Sequence, residues 1–133
     1  MTLNDWMGRV AAFSDERDWA QFHAPRNLAM ALSVEANELL ELYLWCADDG
    51  PQPAQEARRE RVAGEVGDVL ICLFNLCHRA GIDPERALAD KLAEAARRYP
   101  ADRVRGRALK YDEYPEWRTG ETPDPDGTSR GPR

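Results

Sequence analysis

Glu35-Ala36-Asn37-Glu38 and Glu65-Val66-Gly67-Asp68 are the two stretches whose reading decides the fold. Each carries two carboxylates three residues apart. On a helix that spacing sets both on one side, about one turn apart. Both clusters lie within an apolar pattern of helical period. Leu28, Leu32, Leu39 and Leu42 form a stripe that includes Glu35. Val62, Val66, Val69, Leu73 and Leu76 form another, with Glu65 and Asp68 beside it. A carboxylate facing a core is expensive unless it is paired or bound to metal. Four of them converging from two helices would repel one another, and a divalent cation removes both problems.

Outward from these clusters the chain reads as all-α. Thr2-Leu3-Asn4-Asp5 has the form of a capping box with Asp in place of Glu, and predicts a helix with Trp6, Val10 and Phe13 on one face to about Arg17. Asp18-Trp19-Ala20-Gln21-Phe22-His23-Ala24 then reads as a loop that either tucks its rings into the core or presents them and the His to a ligand. Pro25 suits the first turn of a second helix, expected over residues 25–46 and stopped by Asp48-Asp49-Gly50-Pro51. A third helix follows Pro53 and runs to about Arg79, with Gly81 as its stop. Gly64 and Gly67 flank Glu65; their plain use is close helix packing, and their functional use would be room near a metal or phosphate. Asp83-Pro84-Glu85 supplies an N-cap, an N1 proline and an acidic first turn for a fourth helix over about 84–99, ended by Pro100. Ala87, Leu88, Leu92 and Ala95 are its apolar positions, and Lys91 stands between two of them. From Ala101 the pattern dissolves, and residues 112–133 read as a flexible tail rich in Gly, Pro, Thr and Asp.

The 133 residues suit one domain whose short helical core is completed by oligomerisation. A net charge of −6 disfavours a nucleic-acid polymer or a membrane surface as partner. Cys46, Cys72 and Cys77 lack CxxC spacing and read as reduced thiols, consistent with a cytoplasmic protein. No apolar run approaches membrane-spanning length, and no signal peptide is visible.

All-oxygen ligands suit a hard cation, Mg²⁺ or Mn²⁺. A carboxylate-bridged di-iron site would instead expect Glu-x-x-His pairs, and neither cluster holds a His. Mg²⁺ usually bridges to phosphate oxygens, so a nucleotide or similar phosphoanhydride is the natural substrate class. His78 is far along its helix from the acids and reads as structural. Glu41 follows Glu38 by three residues and reads equally as a third carboxylate of the site or as solvent-exposed. Trp45 either caps the core or walls a pocket beside the acids.

The two acidic pairs in this order resemble the signature of the MazG-like all-α nucleoside triphosphate pyrophosphohydrolases. The run Glu16-Arg17-Asp18-Trp19-x-Gln21-Phe22-His23-x-Pro25-Arg26-Asn27-Leu28 looks like the dCTP pyrophosphatase branch. So do Glu38-Leu39-x-Glu41-Leu42-x-x-Trp45, Asp68-Val69-Leu70-Ile71, Arg97-Arg98-Tyr99-Pro100 and Lys110-Tyr111. The resemblance implies a four-helix bundle-like fold over residues 1–111, completed as a dimer or tetramer. It implies Mg²⁺ held by Glu35, Glu38, Glu65 and Asp68, with Glu38 activating the water. Trp19, His23 and Trp45 would form the base and sugar pocket, and Lys91 and Arg98 would contact the triphosphate. Attack at the α-phosphate of dCTP or a modified dCTP would release the monophosphate and pyrophosphate. The alternative is a helical nucleotide-binding or regulatory module without catalysis. Two departures motivate it: Cys72 stands where the branch has Tyr, and Ala95 where the family often has Asn.

Overall fold

The computed structural model describes residues 1–44 and 52–108. The described chain is all-α, in the order α1 (Leu3–Asp15), a 3-10 helix (Trp19–Phe22), α2 (Pro25–Glu41), α3 (Gln52–Ala80), α4 (Pro84–Arg98) and α5 (Ala101–Val104). No helix among the described residues is long and apolar enough to cross a membrane. The chain forms two compact units, Met1–Glu85 and Arg86–Arg133.

Local chemistry explains where the helices start and stop. Thr2 closes the capping box: its hydroxyl accepts from the Asp5 N–H, and Asp5 Oδ2 accepts from the Thr2 N–H at 2.7 Å. Helix α1 stops at Asp15, two residues short of the sequence expectation, because residues 17 and 18 turn back in tight three-residue hydrogen bonds to Ser14 and Asp15. Asp18 then adopts left-handed backbone (φ 54°), a conformation Asp tolerates better than most residues. Gln21 steadies it by donating to both its backbone and side-chain oxygens at 2.9 Å. The segment expected as a loop is thereby a 3-10 helix.

Helix α2 begins at Pro25 and is regular to Glu41, tightening at Tyr43 and Leu44 into three-residue turns. The remainder of its expected span, with Trp45 and Cys46, lies outside the described residues, as does the tail from 109 onward. Helix α3 has 29 residues. It ends in a Schellman motif: Gly81 is at φ +66°, its N–H donates to His78, and the Ile82 N–H donates to the Cys77 carbonyl at 2.9 Å. Asp83 accepts the Glu85 N–H at 3.0 Å and starts α4. The Glu85 carboxylate in turn accepts the free Leu3 N–H at 2.8 Å, tying this turn to the start of α1.

Within the first unit α3 is the spine, packed against both α1 and α2. Among the described residues its buried apolar set is small: Ala11, Leu28, Phe74 and Cys77. The expected α3 stripe is only half-buried, with Val66 exposed. Gly64 and Gly67 have open space where a Cβ would stand. Close packing against the described residues therefore does not account for either glycine, which goes against the plainer of the two sequence readings. In the second unit Leu88 and Leu92 are exposed, and the short α5 appears where the sequence pattern had dissolved.

Candidate active site

Helices α2 and α3 bring one carboxylate oxygen from each of Glu35, Glu38 and Glu65 within 4.8 Å of one another. Glu35 and Glu65 are half-buried and Glu38 is exposed. Asp68 lies one turn beyond Glu65, outside that closest group but near enough to act on Glu35 electrostatically. Burial raises the Glu35 pKa above the usual carboxylate value, and the negative charges of Glu38, Asp68 and Glu65 raise it further. Among the described residues no Lys or Arg pairs with any of the four. An uncompensated, oxygen-only cluster of this kind fits a hard divalent cation, whose charge would offset the repulsion. It does not fit a thiolate or imidazole site, since no Cys or His belongs to the group.

Beside the acids lies a cavity of about 280 Å³ walled by Trp19, Phe22, His23, Ile71 and Cys72 among others. Cys72 links the two features. Its thiol pKa is pushed up by burial first, then by the charges of Glu35 and Asp68, which disfavours the thiolate. The Trp19 ring meets Phe13 edge-on, with centroids 5.8 Å apart. The Arg17 guanidinium covers Phe13 at 3.6 Å. The aromatic segment is also fixed at its far end, where Arg79 of α3 donates to the His23 carbonyl at 3.1 Å and Asn27 to the Phe22 carbonyl at 3.2 Å. The open alternative for residues 18–24 resolves into something between its two forms: Trp19 is 45% exposed and Phe22 62%, yet both line a cavity.

The structure thus brings Trp19 and His23 to one cavity and three of the four acids to one cluster. Trp45 lies outside the described residues. Lys91 and Arg98 belong to the second unit, where both hold Glu94: Lys91 Nζ at 2.7 Å from one carboxylate oxygen and Arg98 at 2.7 Å from the other. The hydrogen bond from Lys91 holds the Glu94 carboxyl below the usual range, helped by the charge of Arg98. Phe22, one of the two rings whose place the sequence leaves open, lines this cavity, and so do Ser14 and Asn75, which the sequence reading missed. The signal for Asn75 was its place within the apolar run Leu73-Phe74-Asn75-Leu76.

Fold and site together define an all-α protein with an acidic, cation-suited centre beside an aromatic pocket. A model of the MazG-like family matches residues 30–113, which carry both acidic pairs. The chain is 43% identical over 122 residues to dCTP pyrophosphatase 1 of Bos taurus, covering 90% of this chain and 72% of that protein. It is 45% identical over 116 residues to dCTP pyrophosphatase 1 of Homo sapiens, covering 86% and 68%. Among solved structures, a pyrophosphatase from Archaeoglobus fulgidus aligns with a TM-score of 0.66 at 37% identity, over 73% of this chain and 91% of that one. The chain belongs to the MazG-like family.

Proposed function

We propose that this protein hydrolyses dCTP, or a modified dCTP, to the nucleoside monophosphate and pyrophosphate in a Mg²⁺-dependent reaction. Its class, a nucleoside triphosphate pyrophosphohydrolase, rests on the relatives named above. The observation that carries the reading is the convergence of Glu35, Glu38 and Glu65 beside an aromatic cavity. Glu35, Glu38, Glu65 and Asp68 are the residues that would hold Mg²⁺, or Mn²⁺ in its place. The bound ion would neutralise charge on the phosphates.

The chain's own groups then have these roles. Trp19, His23 and Trp45 hold the base and sugar, the indole faces offering stacking area. Glu38, the exposed member of the cluster, takes a proton from the attacking water. The water oxygen bonds to the α-phosphorus as the bond to the α,β-bridging oxygen breaks, and pyrophosphate leaves with that oxygen. Lys91 and Arg98 contact the triphosphate, and Glu94 sets the spacing of the two cations. Phosphate must then replace Glu94 as their partner, so their contact is gained at the cost of an existing ion pair.

The sparse core supports assembly as a homo-oligomer, a dimer or tetramer, in which the second unit's cations reach a site. Among the described residues Cys72 and Cys77 are free thiols, consistent with a cytoplasmic setting. Turnover of dCTP in ¹⁸O-labelled water tests the reaction. Attack at the α-phosphorus places the label in dCMP, whereas label in pyrophosphate would refute it. Binding of dCTP with no pyrophosphate released would favour the non-catalytic reading that Cys72 and Ala95 motivate.

A further inference from the structure

The lining of the aromatic cavity includes a buried polar pair that the reaction described above does not use. Ser14 of α1 is 3% exposed and Asn75 of α3 is 7% exposed. The Ser14 hydroxyl donates to Asn75 Oδ1 at 3.1 Å, across 61 residues of sequence. Both residues line the cavity. Their surroundings are largely apolar: buried Phe74 adjoins Asn75 in sequence, and Leu28, Phe13, Phe22 and Ile71 share the cavity lining. A polar pair in such surroundings is costly unless its hydrogen-bonding capacity is used.

That capacity is used only in part. An amide side chain has one acceptor oxygen and two N–H donors. Ser14 engages the oxygen and so fixes which end of the amide points away. Among the described residues Asn75 Nδ2 has no hydrogen-bond partner. Asn75 therefore offers an unpartnered donor end at a cavity whose other walls are largely rings and alkyl groups.

The volume narrows what can meet this donor. At about 280 Å³ the cavity lies at the low end of ligand pockets, which run from about 300 to 1,000 Å³, and suits a single ring system. Donors in the lining need acceptors on the ring edge. Cytosine presents two adjacent acceptors, O2 and N3. Thymine and uracil carry a hydrogen on N3 and would set donor against donor. We infer that Asn75, oriented by Ser14, is a specificity-determining residue that reads the N3/O2 edge of a cytosine base. This rests on the deoxycytidine reading given above and adds the residue that enforces it. It also accounts for an Asn in the middle of an apolar helix face, where a hydrophobic residue would pack at lower cost.

The test compares dCTP with dTTP, by kcat/KM for pyrophosphate release and by equilibrium binding of dCMP and dTMP. Asn75→Leu keeps the volume and removes the donors. It is expected to lower kcat/KM for dCTP at least tenfold and to leave dTTP within a few-fold, so the ratio collapses. Ser14→Ala frees the amide to turn and is expected to lower the same ratio by a smaller factor. Should Asn75→Leu fail to fold, Asn75→Asp keeps the acceptor that Ser14 uses and replaces Nδ2 by an oxygen. It carries the same expectation, a loss for dCTP over dTTP. A wild-type ratio in the folded Asn75 variant would overturn the inference and leave the pair as a tie between α1 and α3. Binding of the two monophosphates needs no turnover. Absence of pyrophosphate release would therefore sink the hydrolase reading alone, while the dCMP and dTMP affinities still decide the role of Asn75.

Discussion

Glu35 carries the sharpest conflict in the molecule. It lies inside an apolar stripe and faces three other carboxylates, which together with burial raise its pKa. A raised folded-state pKa means that the folded, metal-free chain holds the proton more tightly than the unfolded chain does. The stability this gives is complete below the ordinary glutamate value and is lost as pH rises through the raised one. Glu35→Gln removes the conflict. It is expected to stabilise the metal-free protein at neutral pH by about 0.2–0.5 kcal/mol per relieved like-charge neighbour, read by urea unfolding in EDTA. The same change is expected to cost activity. Losing a direct ligand should cost at least the roughly 10–100-fold that loss of a ligand's supporting partner costs. A variant both less stable and fully active would contradict this account. The glutamate was legible in the sequence because helical period alone places it against the stripe. Ser14 and Asn75 were not, because their pairing is fixed by how α1 crosses α3, and periodicity within either helix says nothing of the other.

At the scale of the helix, the stops and starts rest on local chemistry, which is why they could be read directly. The capping box at Thr2, the Schellman glycine at Gly81 and the cap at Asp83 each satisfy backbone groups that a helix end leaves open. Gly81→Ala is expected to destabilise by about 1–2 kcal/mol, since a Cβ is strained at φ +66° even in open space. Gly64→Ala should do the opposite. It is mid-helix with nothing near its Cβ position, and the usual gain of about 0.5–1 kcal/mol is expected in thermal or urea unfolding. The 3-10 helix at Trp19–Phe22 escaped the sequence reading because it depends on the left-handed Asp18 and on its Gln21 bonds, not on any period. In α4 the lowered Glu94 pKa gives the opposite sign to Glu35. Its pairing with Lys91 and Arg98 contributes above the ordinary glutamate value of 4.5 and is lost as pH falls through the lowered one. Added salt should weaken it as well.

For the whole molecule the governing fact is how little apolar surface the described residues bury. Trp6, Leu70 and Ile71 are each more than 40% exposed, and they line an open cleft of about 630 Å³ between α1 and α3 together with Val10, Phe13 and Phe74. An apolar surface of that extent among the described residues is what the proposed second copy would cover. Light scattering is expected to give a dimer or tetramer, and Leu70→Glu to shift it toward monomer with loss of activity. A fully active monomer would refute the assembly. The all-α class, the helix order and the acidic centre were legible because each is written in the spacing of one or two helices. A short core was expected as well, but not which stripe positions stay uncovered, because a stripe of correct period looks the same whether its own chain or a neighbour covers it.

The central claim is that the carboxylates of α2 and α3 form a Mg²⁺ centre for hydrolysis of a deoxycytidine triphosphate. Its most direct test is pyrophosphate release from dCTP across a Mg²⁺ titration, for the wild type and for Glu35→Gln/Glu38→Gln. The account predicts release that requires Mg²⁺ in the wild type and is abolished in the double variant, with the helical circular dichroism of both unchanged. Full release by the double variant, or by the wild type in EDTA, would contradict it.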